Sequence, residues 1–428
     1  MTSGPRALPR VVITGLGAIT PIGADTDSYW EGLRSGRNGV DRVRCFDPAG
    51  YPVQIAGEVL DFDPERYLDR RTARRTGRFA QMAVGAAVQA LDDAGLLRDG
   101  AADPGLRDDL GVVMASSGDA FNMGEEWELM EERGPGRADP FIITRRGQHM
   151  AAARVARLLG ARGPNTTINT ACASGTDALG HALSMLRLGR ARAVLAGGSD
   201  AMVTPLALAS MGRLGALSKN NADPEHASRP FDAGRDGFVL SEGSGVLLLE
   251  TEAGARARGA SIYAELAGVG WSFDATDDTA PDAEGQSLAM IRAMEDAGAT
   301  PADIDYINAH GTSTPLNDRT ETAAIKLALG EDRARAIPIS STKSMTGHLV
   351  SGAGGIEAIA SVLTITRGCI PPTINHERPD PECDLDVVPN EPRPAAGLGV
   401  VISNSFGLGG QNASAVFRRY HPGEAHRG

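Results

Sequence analysis

Cysteine is scarce. The 428 residues hold four, Cys45, Cys172, Cys369 and Cys383, widely spaced and without a Cys-x-x-Cys pair. A disulfide framework and a cysteine-based zinc site are both disfavoured, and the usage fits a reducing compartment. No uninterrupted apolar run approaches the roughly 18 residues of a membrane helix. The first ten residues lack the apolar core of a signal peptide. These absences predict a cytoplasmic protein with no membrane span. Net positive charge is missing too: the formal balance is −12, which argues against nonspecific nucleic-acid binding. The third glycine of a dinucleotide fingerprint is also lacking. Residues 10–17 read as a buried strand running into Gly-Leu-Gly, but Thr20 stands where that motif needs glycine. No cofactor and no metal is assigned.

What is present points to a duplicated α/β architecture. Hydrophobic residues make up 42% of the chain, enough for a substantial core, and 53 glycines with 25 prolines suit many tight connections. Apolar runs predict strands at 10–17, 110–115, 191–198, 262–269, 304–309, 399–404 and 413–417, with a strand pair around a Gly turn at 238–250. Helical spacing marks 79–95, 289–297, 320–329 and 354–366. Two halves of alternating strands and helices imply duplicated α/β/α units, 1–255 and 256–428, forming one body with a site between them. Residues 117–149 are polar and irregular, and read as a cap or dimer-interface excursion.

Cys172 lies in Asn-Thr-Ala-Cys-Ala-Ser-Gly-Thr-Asp, between an apolar stretch and a small-residue run that reads as a helix start. Unpaired N–H groups and the positive end of a helix dipole favour a thiolate there. A buried structural cysteine is the competing reading. His310 and His348 each sit among glycine and small hydroxylated residues, a setting for close contact with a bound chain. Surface hydrogen bonding is the blander alternative. Arg66, Arg70, Arg71, Arg74, Arg75 and Arg78 crowd one stretch, and as a helix Arg71, Arg74, Arg75 and Arg78 share a face. Such a face suits an acidic partner; a solvated helix with local acids such as Asp69 fits equally.

Four segments carry a resemblance. Thr170–Gly175, Asn308–Pro315, Lys343–His348 and Asn404–Gly410 closely resemble, in order, motifs of the β-ketoacyl-acyl-carrier-protein synthases. Similarity runs from about Val11 to Phe417. It implies the thiolase fold, a five-layered α-β-α-β-α body. It also implies an acyltransferase making 3-oxoacyl-carrier protein by decarboxylative Claisen condensation, with phosphopantetheine supplied by the carrier and no cofactor of its own. Cys172 would hold the acyl chain. His310 and His348 would stabilise the enolate of malonyl carrier protein, and the backbone N–H groups of Cys172 and Phe406 would hold the oxyanion. Lys343 would pair with Glu321, and with Glu357, to orient His310.

Further roles follow from the same resemblance. Thr312 and Thr314 would line the pantetheine channel. Phe406, hinged on Gly407, Leu408, Gly409 and Gly410, would gate it together with Asp274 in the loop 272–278. Arg70, Arg71, Arg74, Arg75 and Arg213 would dock the acidic carrier protein. Thiolases share the fold but use a second cysteine in the C-terminal loop, and here that loop has Phe406 instead. A non-catalytic chain-length subunit would lack the Cys–His–His set, which is complete here. Asp119 and Arg145 or Arg146 occupy the region where an acyl tail ends. They are expected to bind a polar or conjugated chain, or to pair across a subunit interface. That leans toward a type II polyketide or polyene synthase, a dimer with itself or with a chain-length-factor partner. Housekeeping fatty-acid elongation is the alternative.

Overall fold

The computed structural model describes residues 8–277 and 279–423. Ten strands form one mixed sheet: β1 (Val11–Ile19), β2 (Leu110–Ala115), β3 (Asn165–Ile168), β4 (Ala193–Ala201), β5 (Glu242–Thr251), β6 (Ala264–Phe273), β7 (Tyr306–Asn308), β8 (Ile339–Ser340), β9 (Val400–Phe406) and β10 (Gln411–Arg419). Their order is β8-β7-β9-β10-β6-β1-β5-β4-β2-β3. The halves meet where β1 touches β6 through only two residue pairs, Val12 with Glu265 and Ile13 with Ala264. Outward from that seam each half repeats one course. β1-β5-β4 and β6-β10-β9 are antiparallel, while β4-β2-β3 and β9-β7-β8 are parallel. The duplication, invisible residue by residue, is explicit in the pairing.

Four core helices complete the layers: α1 (Arg78–Asp93), α2 (Ser174–Arg187), α3 (Ala283–Ala297) and α4 (Ala353–Arg367). Every residue from Ala353 to Ile365 is buried, and a helix apolar on all sides belongs in a middle layer. α2 and α4 fill the space between the two sheet halves, and α1 and α3 cover the outer faces. The result is the five-layered thiolase fold. Gly15 and Gly17 owe their place to packing, not to a phosphate. A Cβ on either would lie about 2 Å from a carbonyl oxygen of α1, at 2.0 Å from Ala90 or 1.9 Å from Ala86.

Several local expectations are revised. The strand pair predicted for 238–250 is the single strand β5, starting at Glu242. Gly245 makes no turn there; its missing Cβ admits α4, since one would lie 2.4 Å from the Gly355 carbonyl carbon. Residues 117–149 are largely helical, with helices at Met123–Arg133 and Ile142–Arg146. Helix α3 begins at Ala283, capped by Asp282, and the helix expected from Thr320 begins at Pro315, capped by Thr314. The arginine run is not one helix. Asp69 caps a short helix, Arg70–Arg74, and α1 starts afresh after the extended Gly77. Arg78 therefore leaves the basic face and pairs with Glu242 at 2.7 Å.

Candidate active site

Each half builds the same device in front of its central helix. A 3-10 turn, Ala171–Ala173, leads into α2, and another, Val350–Gly352, leads into α4. Both open on a non-glycine residue with positive φ, Ala171 at 51° and Val350 at 52°. Left-handed backbone of this kind costs about 1–3 kcal/mol per residue and persists only where its surroundings impose it. In the first turn Ser174 supplies the brace: its Oγ accepts the Thr170 N–H at 2.7 Å and donates to the Ala171 carbonyl at 2.5 Å. The strained turn presents Cys172 just ahead of the N-terminus of α2. The two helix starts touch through glycine, because a Cβ on Gly175 would sit 2.9 Å from the Gly354 Cα. That contact brings the Cys172 turn against the one following His348.

His310 follows β7 and is buried. Glu321, nearly two turns inside the next helix, grips its loop: the two carboxylate oxygens accept the N–H groups of His310 at 2.8 Å and Gly311 at 2.7 Å. Lys343 does not pair with Glu321 as expected. It forms a buried ion pair with Glu357 and lies 3.3 Å from His310 Nδ1. An ammonium can only donate, so His310 Nδ1 accepts and its Nε2 carries the proton. His348 reaches the same state by another route, its Nδ1 accepting the Val350 N–H at 3.2 Å. The His348 Nε2 is buried without a protein partner among the described residues. The two rings meet edge to face, 5.3 Å apart.

Cys172 Sγ and one nitrogen of each histidine lie within 4.8 Å of one another. The spacing alone could suit a metal ion, but the hydrogen-bond donors behind the rings oppose it. A neutral imidazole ligates through an unprotonated nitrogen, and freeing either Nε2 would turn an Nδ1–H toward Val350 N–H or the Lys343 ammonium. Two N–H donors converging beside a thiol suit an oxyanion instead.

Electrostatics agree for the histidines and revise the reading of the cysteine. Burial, with the Lys343 charge, holds both His310 and His348 well below the usual imidazole range, so both are neutral. Burial raises the Glu321 carboxyl to about 7, against the two backbone N–H groups it accepts. Burial also pushes the Cys172 thiol up to about 11, opposed by the Leu408 N–H and the Lys343 charge. The helix terminus does not make a resting thiolate; the closed site keeps the thiol.

Phe406 ends β9 with its ring 5.7 Å from that of His310. The chain then turns tightly: Gly410 N–H donates to the Gly407 carbonyl at 3.0 Å, and Gly409 and Gly410 have φ of 97° and 87°. Gly407 passes so near the cysteine turn that a Cβ there would lie 2.7 Å from the Thr170 carbonyl oxygen. Asp274 latches this turn to the neighbouring loop, its N–H bonded to Gly410 at 2.9 Å and its carboxylate to Asn412 at 2.6 Å. Asp278, the end of that expected loop, lies outside the described residues. Behind Phe406 is a cavity of about 440 Å³ reaching Cys172, His310 and His348, with Thr312 and Thr314 on its wall. The two threonine hydroxyls are 3.0 Å apart. Exposed Leu214, Leu316 and Leu408 ring the mouth.

Other expected residues fall elsewhere. Arg70, Arg71, Arg74 and Arg75 line one open surface pocket, with Arg75 stacked 4.3 Å over the Phe141 ring. Arg213 is exposed next to Leu214 at the mouth. Arg145 pairs with Asp139 at 3.1 Å and is not on the wall of that cavity. Asp119 is also absent from that cavity's wall; it pairs within the chain with Arg146 at 2.7 Å, and Arg146 reaches Glu126 at 3.0 Å. Sequence reasoning missed Phe238, whose ring meets His348 edge to face at 5.3 Å, and Asn404, which donates to Glu321 at 3.3 Å. Asn404 lies inside a quoted motif, and Phe238 opens the segment read as a strand pair and also lies in the family-like stretch 235–239.

Comparison with known proteins matches this geometry. The β-ketoacyl synthase N-terminal domain matches residues 9–255, and its C-terminal domain matches 263–377. A 3-oxoacyl-[acyl-carrier-protein] synthase 2 of Synechocystis sp. is 48% identical over 414 residues, covering 96% of this chain and 98% of that protein. One from Staphylococcus aureus is 46% identical over 417 residues, covering 96% and 98%. Among solved structures, the ishigamide ketosynthase/chain length factor superposes with a TM-score of 0.90 at 39% identity, covering 97% of this chain and all of that one. A ketosynthase bound to the hexaketide, in complex with a type II PKS acyl-carrier protein, gives 0.88 at 36% identity with 97% and 100% coverage. The duplicated sheet, the paired turns and the Cys–His–His cluster thus have one family in common, and this chain belongs to it: it is a β-ketoacyl synthase, an acyltransferase of the 3-oxoacyl-acyl-carrier-protein synthase type.

Proposed function

We propose that Cys172 takes an acyl chain from a carrier-protein thioester and condenses it with malonyl carrier protein. The observation that carries this reading is that one nitrogen of each of two neutral histidines lies within 4.8 Å of one thiol, while both Nδ1 atoms face donors on their other side. In the first half-reaction the Cys172 sulfur forms a thioester as the pantetheine thiol leaves with the proton. In the second, malonyl thioester loses CO₂ while His310 and His348 stabilise the charge on its carbonyl oxygen. The carbanion then attacks the Cys172 thioester, a carbon–carbon bond forms, and the freed sulfur regains a proton. The N–H groups of Cys172 and Phe406 serve the tetrahedral oxyanion. Burial pushes the Cys172 thiol up to about 11, so the sulfur loses its proton as it attacks the incoming thioester.

The carrier docks on the Arg70, Arg71, Arg74 and Arg75 patch, with Arg213 beside the mouth. A partner subunit adds to β3, one of the two edges of the sheet: Asn165 to Ile168 pair with β2 on one side only among the described residues. An unpaired strand edge presents free N–H and C=O groups as a template for another chain.

The chain handled is polar or conjugated, in a type II polyketide or polyene pathway. Cys172 packs into an apolar cluster with Phe121, Met202 and Val203. Val203 also lines a second cavity, of about 370 Å³, whose other walls include Asp119, Arg44, Glu58 and Glu242. A saturated tail ending among these groups would strip them of water without replacing a hydrogen bond. Elongation of saturated fatty chains is the second reading, favoured by the 48% identity to the synthase 2 of Synechocystis. Intact-mass analysis with saturated and polyenoyl carrier proteins, alone and with a co-encoded homologous subunit, separates them. Preference for polyenoyl chains with the partner supports the first reading, and efficient use of saturated chains without it overturns the first in favour of the second.

A further inference from the structure

The acid at the end of β4 has no part in the steps above. Asp200 is fully buried, and no basic side chain pairs with it among the described residues. Its two oxygens are spent on two loops. Oδ1 accepts the Ser117 N–H at 2.8 Å, and Oδ2 accepts the Ser351 N–H at 2.9 Å and the Ser117 hydroxyl at 3.0 Å. Ser117 begins the segment leading into the helical cap. Ser351 is the second residue of the strained turn that opens on Val350.

Symmetry gives this contact its meaning. The second residue of the equivalent turn in the first half is Cys172. Ser351 N–H is therefore the counterpart of the N–H reserved for the acyl oxyanion, and Asp200 occupies it. With Ser351 held, Val350 is kept in its left-handed conformation, and the Val350 N–H is aimed at His348 Nδ1.

We propose that Asp200 is a positioning residue for decarboxylation: by holding Ser351 it fixes the turn that keeps His348 with its Nε2–H facing the cavity. This rests on the condensation reading above. Asp200 also acts on Cys172 with the opposite sign, since its negative charge raises the thiol pKa. Burial raises the Asp200 carboxyl itself to about 6, which leaves the carboxylate as the main form at neutral pH.

Asp200→Asn tests this. Both oxygens serve backbone N–H groups, so an amide in either orientation leaves one of them facing an NH₂ donor. Decarboxylation of malonyl carrier protein should fall roughly 10- to 100-fold in kcat with KM within about twofold. Alkylation of Cys172 by iodoacetamide at pH 7.5 should hold steady or become several-fold faster, because a nearby negative charge is gone. A merely structural role moves both rates down together. Equal loss in both, or decarboxylation within about twofold of the unmodified enzyme, overturns the proposal. Should Asp200→Asn not accumulate folded, Asp200→Glu is judged by the same ratio of decarboxylation to alkylation: a lowered ratio supports the assignment and an unchanged one refutes it. The unmodified enzyme, run in parallel, separates the two claims. If it fails to decarboxylate at all, the condensation reading falls, whatever the variants do.

Discussion

Ala171 and Val350 are counterparts in the two halves, both non-glycine residues with φ near +50° at the mouth of a buried central helix. One strained turn displays the nucleophile, and the other fixes the hydrogen that His348 offers. In the proposed mechanism, one local distortion serves two different parts of a single reaction. The glycine contact between the helix starts, Gly175 against Gly354, places the two turns face to face.

His348→Ala removes an oxyanion donor and leaves thioester formation at Cys172 untouched. Malonyl decarboxylation should fall about 10²- to 10³-fold, the loss typical of one such donor. Stopped assays of CO₂ release, beside intact mass of the acylated protein, check the split. Equal loss in both half-reactions would contradict the role given to His348.

Lys343→Met strands Glu357 as an uncompensated buried carboxylate and frees the His310 tautomer. Breaking a buried pair in this way costs about 3–5 kcal/mol, readable as a lowered denaturant midpoint. Lys343→Met with Glu357→Leu should recover most of that stability without recovering decarboxylation. Recovery of both would show that the lysine acts on packing alone.

The pH dependence of Cys172 reactivity follows from burial. With a thiol pKa near 11 in the closed site, the thiolate fraction, and with it the alkylation rate, should rise about tenfold per pH unit from 7 to 10 with no plateau. A plateau beginning near pH 7 would mean a stabilised thiolate at rest.

Gly407→Ala places a methyl group 2.7 Å from the Thr170 carbonyl oxygen, at the joint between gate and nucleophile. Overpacking of this kind costs about 1–3 kcal/mol, and acylation should slow at least tenfold. Phe406→Ala should instead speed alkylation of Cys172 by bulky reagents, as the proposed gate requires.

Reversing Arg70, Arg71, Arg74 and Arg75 to Glu should raise KM for acyl-carrier protein about 10- to 100-fold and weaken its salt dependence. Acylation by a small acyl thioester that needs no docking should not change. A matching loss with the small thioester would place the arginines outside docking.

Much of the site was legible because its chemistry is concentrated in short segments: Cys172, His310, His348 and Phe406 each stand in a motif of small residues. The alternating apolar runs imply duplicated α/β/α halves, and the family resemblance implies the five-layered body. Features set by tertiary distance were not legible. Lys343 could reach either Glu321 or Glu357 on paper, and only the packing of α4 decides for Glu357. The positive φ of Val350 is imposed on a β-branched residue that gives no local sign of it. Gly77 hid a helix break inside an apparently continuous basic face, and the cost of burying Cys172 outweighed the helix-end argument for a thiolate. Asp200 carried the faintest signal, a lone acid at the end of a buried strand.

The central claim is that Cys172 carries the chain, and intact mass tests it most directly. Incubated with acyl-carrier protein, the enzyme should gain one acyl group on Cys172, lose it on addition of malonyl carrier protein, and release CO₂ and 3-oxoacyl-carrier protein. Cys172→Ala should gain no acyl mass and form no condensation product. Acylation of that variant, or condensation at an undiminished rate, would contradict the account.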